Sequence, residues 1–531
     1  MSTWRGRVVA LVAGAPLALA FPAPAQWWLA LVGLVPVLLL ARAAGDAREA
    51  AVRAWLSGTG FFLAVNAFLV PKVGPFMVPL AMLLAALWLP LGWLAWRLLG
   101  APPTHRGTRS GGLRGAEPPA VVGSPGPPRP ARPLRLGAAL VLLPSAFVAG
   151  EAVRSWEGLG GPWGLLGASQ WNAPPLLGVA AVGGVWAVSL LLVAVNVAAA
   201  AALVPGVAPR VRAAATTVAV GLPLLALAWW ALRPPPPAAG TVRVGLVQPG
   251  IVRQVEPRFQ ASERLSLGLA AGRPAAPAAD LVVWGESSVG RDPGANPGDV
   301  ARLAAVARAV GAPVLANVDA QRGAGGGIYK SALLVAPGGP VGGYDKMRLV
   351  PFGEYVPLRP LLGWVTRFTD AADTDRRRGT RLAVLPAGTF TVGPLICFES
   401  AFPDLARNLA ADGADLVVVQ TADTTFQRSW GPAQHASLAA VRAVEAGRPV
   451  VQVAISGVSA AFDARGRRLA WRPTSVRGAT VVELPLSRER TPYARGGDWL
   501  PVAAALVLAA GALVALGRRR STAGQGGATL P

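Results

Sequence analysis

A chain of 531 residues with 53% hydrophobic and only 15% charged residues is too long for one domain and too apolar for an ordinary soluble enzyme, so composition alone indicates a membrane protein. One cysteine excludes an intrachain disulfide and any cysteine-cluster zinc site, and having only His105 and His435 excludes a histidine-rich metal centre. The formal net charge of +23 rests largely on arginines in short loops between apolar spans, which the positive-inside rule explains better than nucleic acid does.

In chain order, residues 8–25 are apolar behind Arg5 and Arg7, and Ala23-Pro24-Ala25 has the pattern of a signal-peptidase site. A second apolar run, 27–40, follows at once, so the two read as a helical hairpin kept in the membrane rather than a cleaved leader. Further spans are expected at about 55–70, 76–99, 136–153, 176–204 and 213–232, giving a transmembrane domain of about seven helices over residues 1–235. The Pro/Gly/Arg-rich stretch 101–133 lacks apolar periodicity and is expected to be a disordered cytoplasmic loop. An eighth span, 499–516 within residues 497–517, ends at Arg518, Arg519 and Arg520, which open a cytoplasmic tail over 518–531. Counted from an inside amino terminus, eight spans leave residues 241–490 on the extracytoplasmic side of the plasma (inner) membrane, facing a periplasm or simply the outer side of the cell, and the basic stop after the last span agrees.

Residues 241–490 alternate strands and helices. Strands are expected at 242–247, 281–284, 314–318, 329–335, 390–396, 416–420, 450–454, 459–462 and 480–484, and helices at 258–271, 299–310, 403–411 and 433–446. The pattern is that of an α/β domain with a mixed sheet.

Cys397 stands in T-V-G-P-L-I-C-F-E-S, at the carboxyl end of an apolar strand, where open α/β sheets carry their chemistry. A lone cysteine in such a strand is by default a buried, inert thiol, but its neighbours argue for a nucleophile. Glu286 closes L-V-V-W-G-E, just after Trp284, and is expected to project past a sheet edge as Cys397 does. Lys346 lies in Y-D-K-M-R-L-V-P-F-G-E-Y-V-P and is one of only three lysines, with Lys72 and Lys330, in an arginine-rich chain. Lysine, unlike arginine, offers a compact ammonium to an oxyanion. A thiol with a pKa near ~8.5 needs a base to attack an ester or amide at neutral pH. Glu286 would supply it, a gain of roughly 10²–10⁴-fold, while Lys346 and the N–H of Phe398 would stabilise the oxyanion. A Cys-His pair with His435 is the rival arrangement, ranked lower because His435 falls just inside a helix after Gly431-Pro432.

Glu286 in V-W-G-E-S-S, Lys346 in D-K-M-R-L-V-P-F-G-E-Y-V-P and Cys397 in I-C-F-E-S together resemble the Glu-Lys-Cys triad of the nitrilase superfamily. With the membrane spans, and with G-E-A-V-R at 150–154, P-W at 162–163, S-Q at 169–170 and G-P-A-Q-H before R-A-V-E-A-G-R-P, the whole chain resembles the apolipoprotein N-acyltransferase family. The resemblance implies a multi-pass α-helical membrane domain plus an α/β nitrilase-like (αββα sandwich) extracytoplasmic domain. It further implies a phospholipid acyl donor, a diacylglyceryl apolipoprotein acceptor, a thioester at Cys397, and no metal, nucleotide or other cofactor. Glu354 matches the family's further glutamate near the triad, Phe398 and Glu399 follow the nucleophile, and Trp284 joins the supporting set. The chain departs from the family pattern at Gly285, where proline is common, at Phe398, where tyrosine is frequent, and at 422–426, where A-D-T-T-F stands for N-D-A-W-F.

A membrane-tethered amidase with the same triad and a non-catalytic membrane scaffold are the other readings; a monomer with no nucleic-acid partner is expected in each. Transfer to an amine rather than water needs a site that excludes water. Residues 357–368, with Leu361, Leu362 and Trp364, are expected to act as an apolar lid there, the alternative being an ordinary packed loop. Charged substitutions at Leu362 and Trp364 are expected to impair lipid turnover without loss of folding; turnover equal to wild type removes the lid.

Overall fold

The computed structural model describes residues 3–100, 135–271, 279–322, 327–367 and 375–525. The expected loop 101–133 and the end of the tail lie outside them. Among the described residues five helical stretches are long and apolar enough to cross a membrane, where the sequence suggested eight: Ala67–Leu98, Leu136–Arg154, Ala180–Ala202, Pro209–Leu232 and Trp499–Arg518. The expected first hairpin is instead a string of short pieces. Helix α1 (Thr3–Gly14) runs into the 3-10 turns Ala15–Ala20, and the 3-10 turns Trp27–Leu31 precede α2 (Val35–Arg42). Pro16, Pro22, Pro24 and Pro36 punctuate this stretch, and each removes a helical N–H. The third segment, α3 (Ala47–Val65), starts eight residues earlier than expected and is charged at its amino end, where Glu49 pairs with Arg7 and Arg53 at 2.9 and 3.1 Å.

Irregular backbone at membrane depth survives only where protein satisfies it. Asn196, fully buried in the Ala180–Ala202 helix, does this for the broken segment: its Oδ1 accepts from Leu34 N at 2.8 Å, and its Nδ2 donates to Ala30 O at 2.8 Å.

The α/β domain is two stacked six-stranded sheets. The first has the order β12-β1-β2-β3-β4-β5, from β1 (Ala238–Gln248), β2 (Leu281–Trp284), β3 (Val314–Arg322), β4 (Gly327–Ala336), β5 (Gly339–Asp345) and β12 (Gly478–Ser487). The second has the order β11-β10-β9-β8-β7-β6, from β6 (Leu385–Pro386), β7 (Thr391–Ile396), β8 (Leu416–Thr421), β9 (Val450–Ala454), β10 (Ser459–Phe462) and β11 (Arg468–Arg472). In each sheet three consecutive strands are parallel, β1-β2-β3 and β7-β8-β9, with antiparallel strands outside them. The strands β5, β6 and β11 were not expected from sequence. They sit at or beside sheet edges and lack an apolar alternation: β5 reads G-P-V-G-G-Y-D and β11 carries Arg468 and Arg472.

Val244, Leu246, Leu281 and Val283 from one sheet meet Ile396, Leu416, Val418 and Val453 from the other in the inter-sheet core. The helices Val255–Ala270 and Pro297–Val310 cover the outer face of the first sheet. The helices Pro403–Ala411 and Gly431–Ala446 cover the second, and their apolar residues share one continuous core with the membrane helices. The joint is keyed at a break in Ala180–Ala202, where Gly183 and Gly184 leave helical geometry and Gly184 has φ +69°. The freed Val185 N–H donates to Glu445 Oε1 at 2.7 Å, and the Tyr493 ring lies where a Gly184 side chain would stand, 2.7 Å from an added Cβ.

Asn196→Leu orphans Leu34 N and Ala30 O inside the bundle, so it is expected to destabilise the protein by about 1–3 kcal/mol. Thermal unfolding of the detergent-solubilised chain measures this, and a midpoint equal to wild type refutes the capping role.

Candidate active site

Strand β7 ends at Ile396, and the chain turns at once into 3-10 geometry over Cys397–Ala401. Cys397 takes φ +55°, a left-handed conformation that costs a non-glycine residue of order 1–3 kcal/mol and persists only where its surroundings hold it. Glu399 is one holder. It is fully buried; its Oε2 accepts from Ile396 N at 2.8 Å, while its Oε1 accepts from Tyr344 Oη at 2.6 Å, Met347 N at 2.7 Å and Arg348 N at 3.1 Å. One carboxylate thus ties the nucleophile turn to the segment that carries Lys346. Burial raises its pKa, against the pull of these donors.

Glu286 comes from the other sheet, two residues beyond β2. Its N–H donates to Thr421 O at 3.2 Å, and Gln420 Nε2 donates to Trp284 O at 2.8 Å, so the carboxyl ends of the parallel strands are bonded across the sandwich. Gly285 explains its own identity: a Cβ there would lie 2.1 Å from Ile455 N. The departure from the family's proline is therefore built into how closely the two sheets approach in this chain.

Three buried charged groups meet beside the thiol. Lys346, 1% exposed, donates from Nζ to Glu354 Oε1 at 2.9 Å and lies 3.7 Å from Glu286 Oε1. Burial alone would lower the Lys346 pKa, but Glu354 and Glu286 outweigh it and hold the ammonium above its ordinary range. Burial, reinforced by Glu286, pushes the Cys397 thiol well up against the opposing pull of Lys346, so the resting nucleophile is a thiol that needs a base. A second ammonium, not singled out from sequence, completes the cluster: Lys330 Nζ lies 3.7 Å from the same Glu286 oxygen, is 3.0 Å from Asp319 Oδ1 and bonds Ser287 Oγ. Its only signal in the sequence was the scarcity of lysine; that two of the three lysines converge on this one carboxylate is decided by the fold.

The remaining residues named from sequence divide. Phe398 packs edge-on against Phe402 at 5.0 Å and faces Gly161, on the membrane side. Trp284 is fully buried on the opposite face, donating from Nε1 to Ser266 Oγ at 2.8 Å and meeting Phe259 at 5.4 Å, so it is a packing residue outside the cluster. Leu362 and Trp364 lie on short helical turns, with Trp364 48% exposed and edge-on to Phe76 at 5.9 Å. His435 does reach the nucleophile, though at its backbone: Nε2 lies 3.0 Å from Cys397 O. Among the described residues no group of three or more His, Cys, Asp or Glu is placed to hold a metal ion.

Two stacked mixed sheets with helices outside them share a core with helices apolar enough to cross a membrane, and the sequence of the sheet domain places it in the carbon-nitrogen hydrolase class. The carbon-nitrogen hydrolase family matches residues 243–492, and the apolipoprotein N-acyltransferase N-terminal domain matches residues 13–198. An apolipoprotein N-acyltransferase of Pseudomonas syringae pv. tomato is 31% identical, covering 96% of this chain and 97% of the relative. One from Geobacter metallireducens is 31% identical over 95% of each chain. Among solved structures, a carbon-nitrogen hydrolase from Helicobacter pylori G27 is 18% identical, covers 48% of this chain and 92% of its own, and has a TM-score of 0.36. On the full-length match, the chain belongs to the apolipoprotein N-acyltransferase family and is an acyltransferase.

Glu354 carries a prediction of its own. Burial would raise its pKa, but Lys346 and Lys330 hold it below the usual carboxylate value. Its contribution to stability is therefore complete above the unfolded value of about 4.3 and is lost as pH falls through the lower folded value. Glu354→Gln is expected to cost about 3–5 kcal/mol at pH 7, by leaving Lys346 half-paired, and to flatten the acid side of the stability profile. Thermal unfolding at pH 7 and through the acid range well below pH 4 reads both, and a variant as stable as wild type at pH 7 makes the pair dispensable.

Proposed function

We propose that Cys397 takes a fatty acyl chain from a membrane phospholipid and passes it to the α-amino group of the diacylglyceryl-cysteine at an apolipoprotein's amino terminus. Glu286 accepts the thiol proton as Sγ bonds the ester carbon, and Lys346 with the Phe398 N–H holds the oxyanion. The ester C–O bond then breaks, Glu286 returns the proton to the departing alkoxide, and lysophospholipid leaves behind a thioester. In the second half the amine displaces the thiol, a ping-pong sequence with no free acid formed. Glu354 keeps Lys346 charged, and Glu399 keeps the nucleophile turn in place.

The observation that carries this reading is the meeting of thiol, carboxylate and buried ammonium at the carboxyl ends of parallel strands, beside a core continuous with the membrane helices. The relatives' own activity supports the transfer over hydrolysis. Leu358 and Leu361, each 70% exposed, and Trp364 against Phe76 support an apolar approach for lipid and a dry reaction path.

A position outside the cytoplasm has support that does not depend on the number of spans. The helices Pro209–Leu232 and Trp499–Gln525 flank the catalytic domain, and their far ends carry Arg210 and Arg212 on one and Arg518 on the other. Basic residues favour the cytoplasmic side, which leaves the domain on the opposite face.

Intact-protein mass spectrometry after incubation with a defined diacyl phospholipid tests the mechanism. Wild type is expected to gain one acyl increment at Cys397 that clears onto a diacylglyceryl-cysteine peptide, and Cys397→Ala to gain none. Clearance into water at the same rate, without acylation of the peptide, replaces the transferase with a hydrolase. A folded wild type that takes up no acyl group supports a scaffold instead.

A further inference from the structure

His435 and Asp423 form a buried pair against the main chain of the nucleophile, and the acyl-transfer scheme gives it no task. Asp423 and His435 are 4% and 3% exposed. His435 Nδ1 lies 2.9 Å from Asp423 Oδ1 and 3.2 Å from Thr421 Oγ1, while Nε2 lies 3.0 Å from the main-chain carbonyl of Cys397. A carbonyl oxygen only accepts, so Nε2 carries a hydrogen. The groups facing the ring are Asp423, the Cys397 carbonyl and, further off, Glu286; burial would lower its pKa, but Asp423 outweighs burial and raises it.

The bond matters because of what a peptide plane does. The Cys397–Phe398 bond is trans and planar, so its C=O and N–H point in opposite directions. Holding the carbonyl against His435 turns the Phe398 N–H to the opposite side of the chain. It also pins a residue at φ +55°, which would otherwise relax. From this geometry we infer that His435, clamped between Asp423 and the Cys397 carbonyl, is the positioning residue that aims the Phe398 N–H at the oxyanion.

The clamp is tied to the membrane part. Gln434, the residue before it, accepts from Trp163 Nε1 at 2.9 Å and donates to Val65 O at 3.2 Å, and the Trp163 ring lies 5.7 Å from that of His435. The carboxyl end of α3 and the loop carrying Trp163 thus set the helix that sets the oxyanion donor. This inference rests on Cys397 forming an acyl-enzyme, and its test separates the two.

Two reactions of Cys397 are compared in the full-length, detergent-purified chain: acylation by a diacyl phospholipid, which passes through an oxyanion, and alkylation by iodoacetamide, which does not. His435→Asn keeps an amide near Asp423 but is too short to reach the carbonyl; His435→Gln reaches it. In His435→Asn, acylation is expected to slow by about 10²–10³-fold, the effect of losing one oxyanion donor, with KM for phospholipid unchanged and alkylation within about threefold of wild type. His435→Gln is expected to recover most of that loss. Equal slowing of both reactions overturns the proposal in favour of a general packing role, and so does acylation at the wild-type rate in His435→Asn. If His435→Asn does not fold, His435→Gln decides: acylation slowed as far as 10²-fold while alkylation is normal shows that restoring the carbonyl bond does not suffice. A wild type that is alkylated yet never acylated removes the acyl-enzyme reading itself.

Discussion

One buried ammonium between two carboxylates governs the rest of this site. Lys346 is 1% exposed, and removing either partner of such a group typically costs about 3–5 kcal/mol, so its surroundings have little freedom. Glu354 takes the short contact at 2.9 Å and Glu286 the longer one at 3.7 Å, on an oxygen that Lys330 approaches at the same distance. Glu399 then binds the Met347 and Arg348 amides and Ile396 N in one carboxylate, so Lys346 and Cys397 cannot move apart independently.

The membrane helices are part of that rigidity. Glu445 caps the break at Gly183–Gly184, Tyr493 fills the space that only glycine there leaves open, and Gln434 bridges to Val65 and Trp163. The motifs that resembled the family in the amino-terminal half act the same way. Glu151 accepts from Leu166 N at 2.6 Å, Arg154 bonds the carbonyls of Trp163 and Gly164, and Gln170 donates to Trp27 O at 3.0 Å. Each is a polar side chain satisfying irregular backbone where water is scarce.

The departures from the family pattern become intelligible in the same terms. Within A-D-T-T-F, where Ala422, Thr424 and Thr425 are the departures, Thr424 Oγ1 meets Ser456 Oγ at 2.5 Å, while the shared Asp423 holds His435 and the shared Phe426 stands edge-on to Phe68 at 5.4 Å, so the segment joins the nucleophile's support to a membrane contact. Gly285 permits the approach of Ile455 that brings the two sheet edges together.

Local sequence determined the regular elements whose residues are apolar throughout or along one helix face. Strands β2, β9 and β10, buried at every position, and the helix Pro403–Ala411, buried on one face, run to the residues their apolar patterns indicate, because a short continuous apolar run and an i, i+3, i+4 spacing are both read from neighbours in sequence. The lone cysteine, the scarce lysines and the strand-end glutamate could be named for the same reason. The edge strands β5, β6 and β11 could not, since pairing with another strand rather than their own pattern makes them strands. Nor could the eight apolar runs reveal that proline breaks the first ones into short turns capped by Asn196, 162 residues from Leu34 in the chain. The placement of Trp284 away from the site, the second ammonium of Lys330 and the bond from His435 to the nucleophile's carbonyl were decided by tertiary structure alone. Each depends on which way a side chain points once two sheets are stacked, and sequence spacing carries no information about the distance between strands from different sheets.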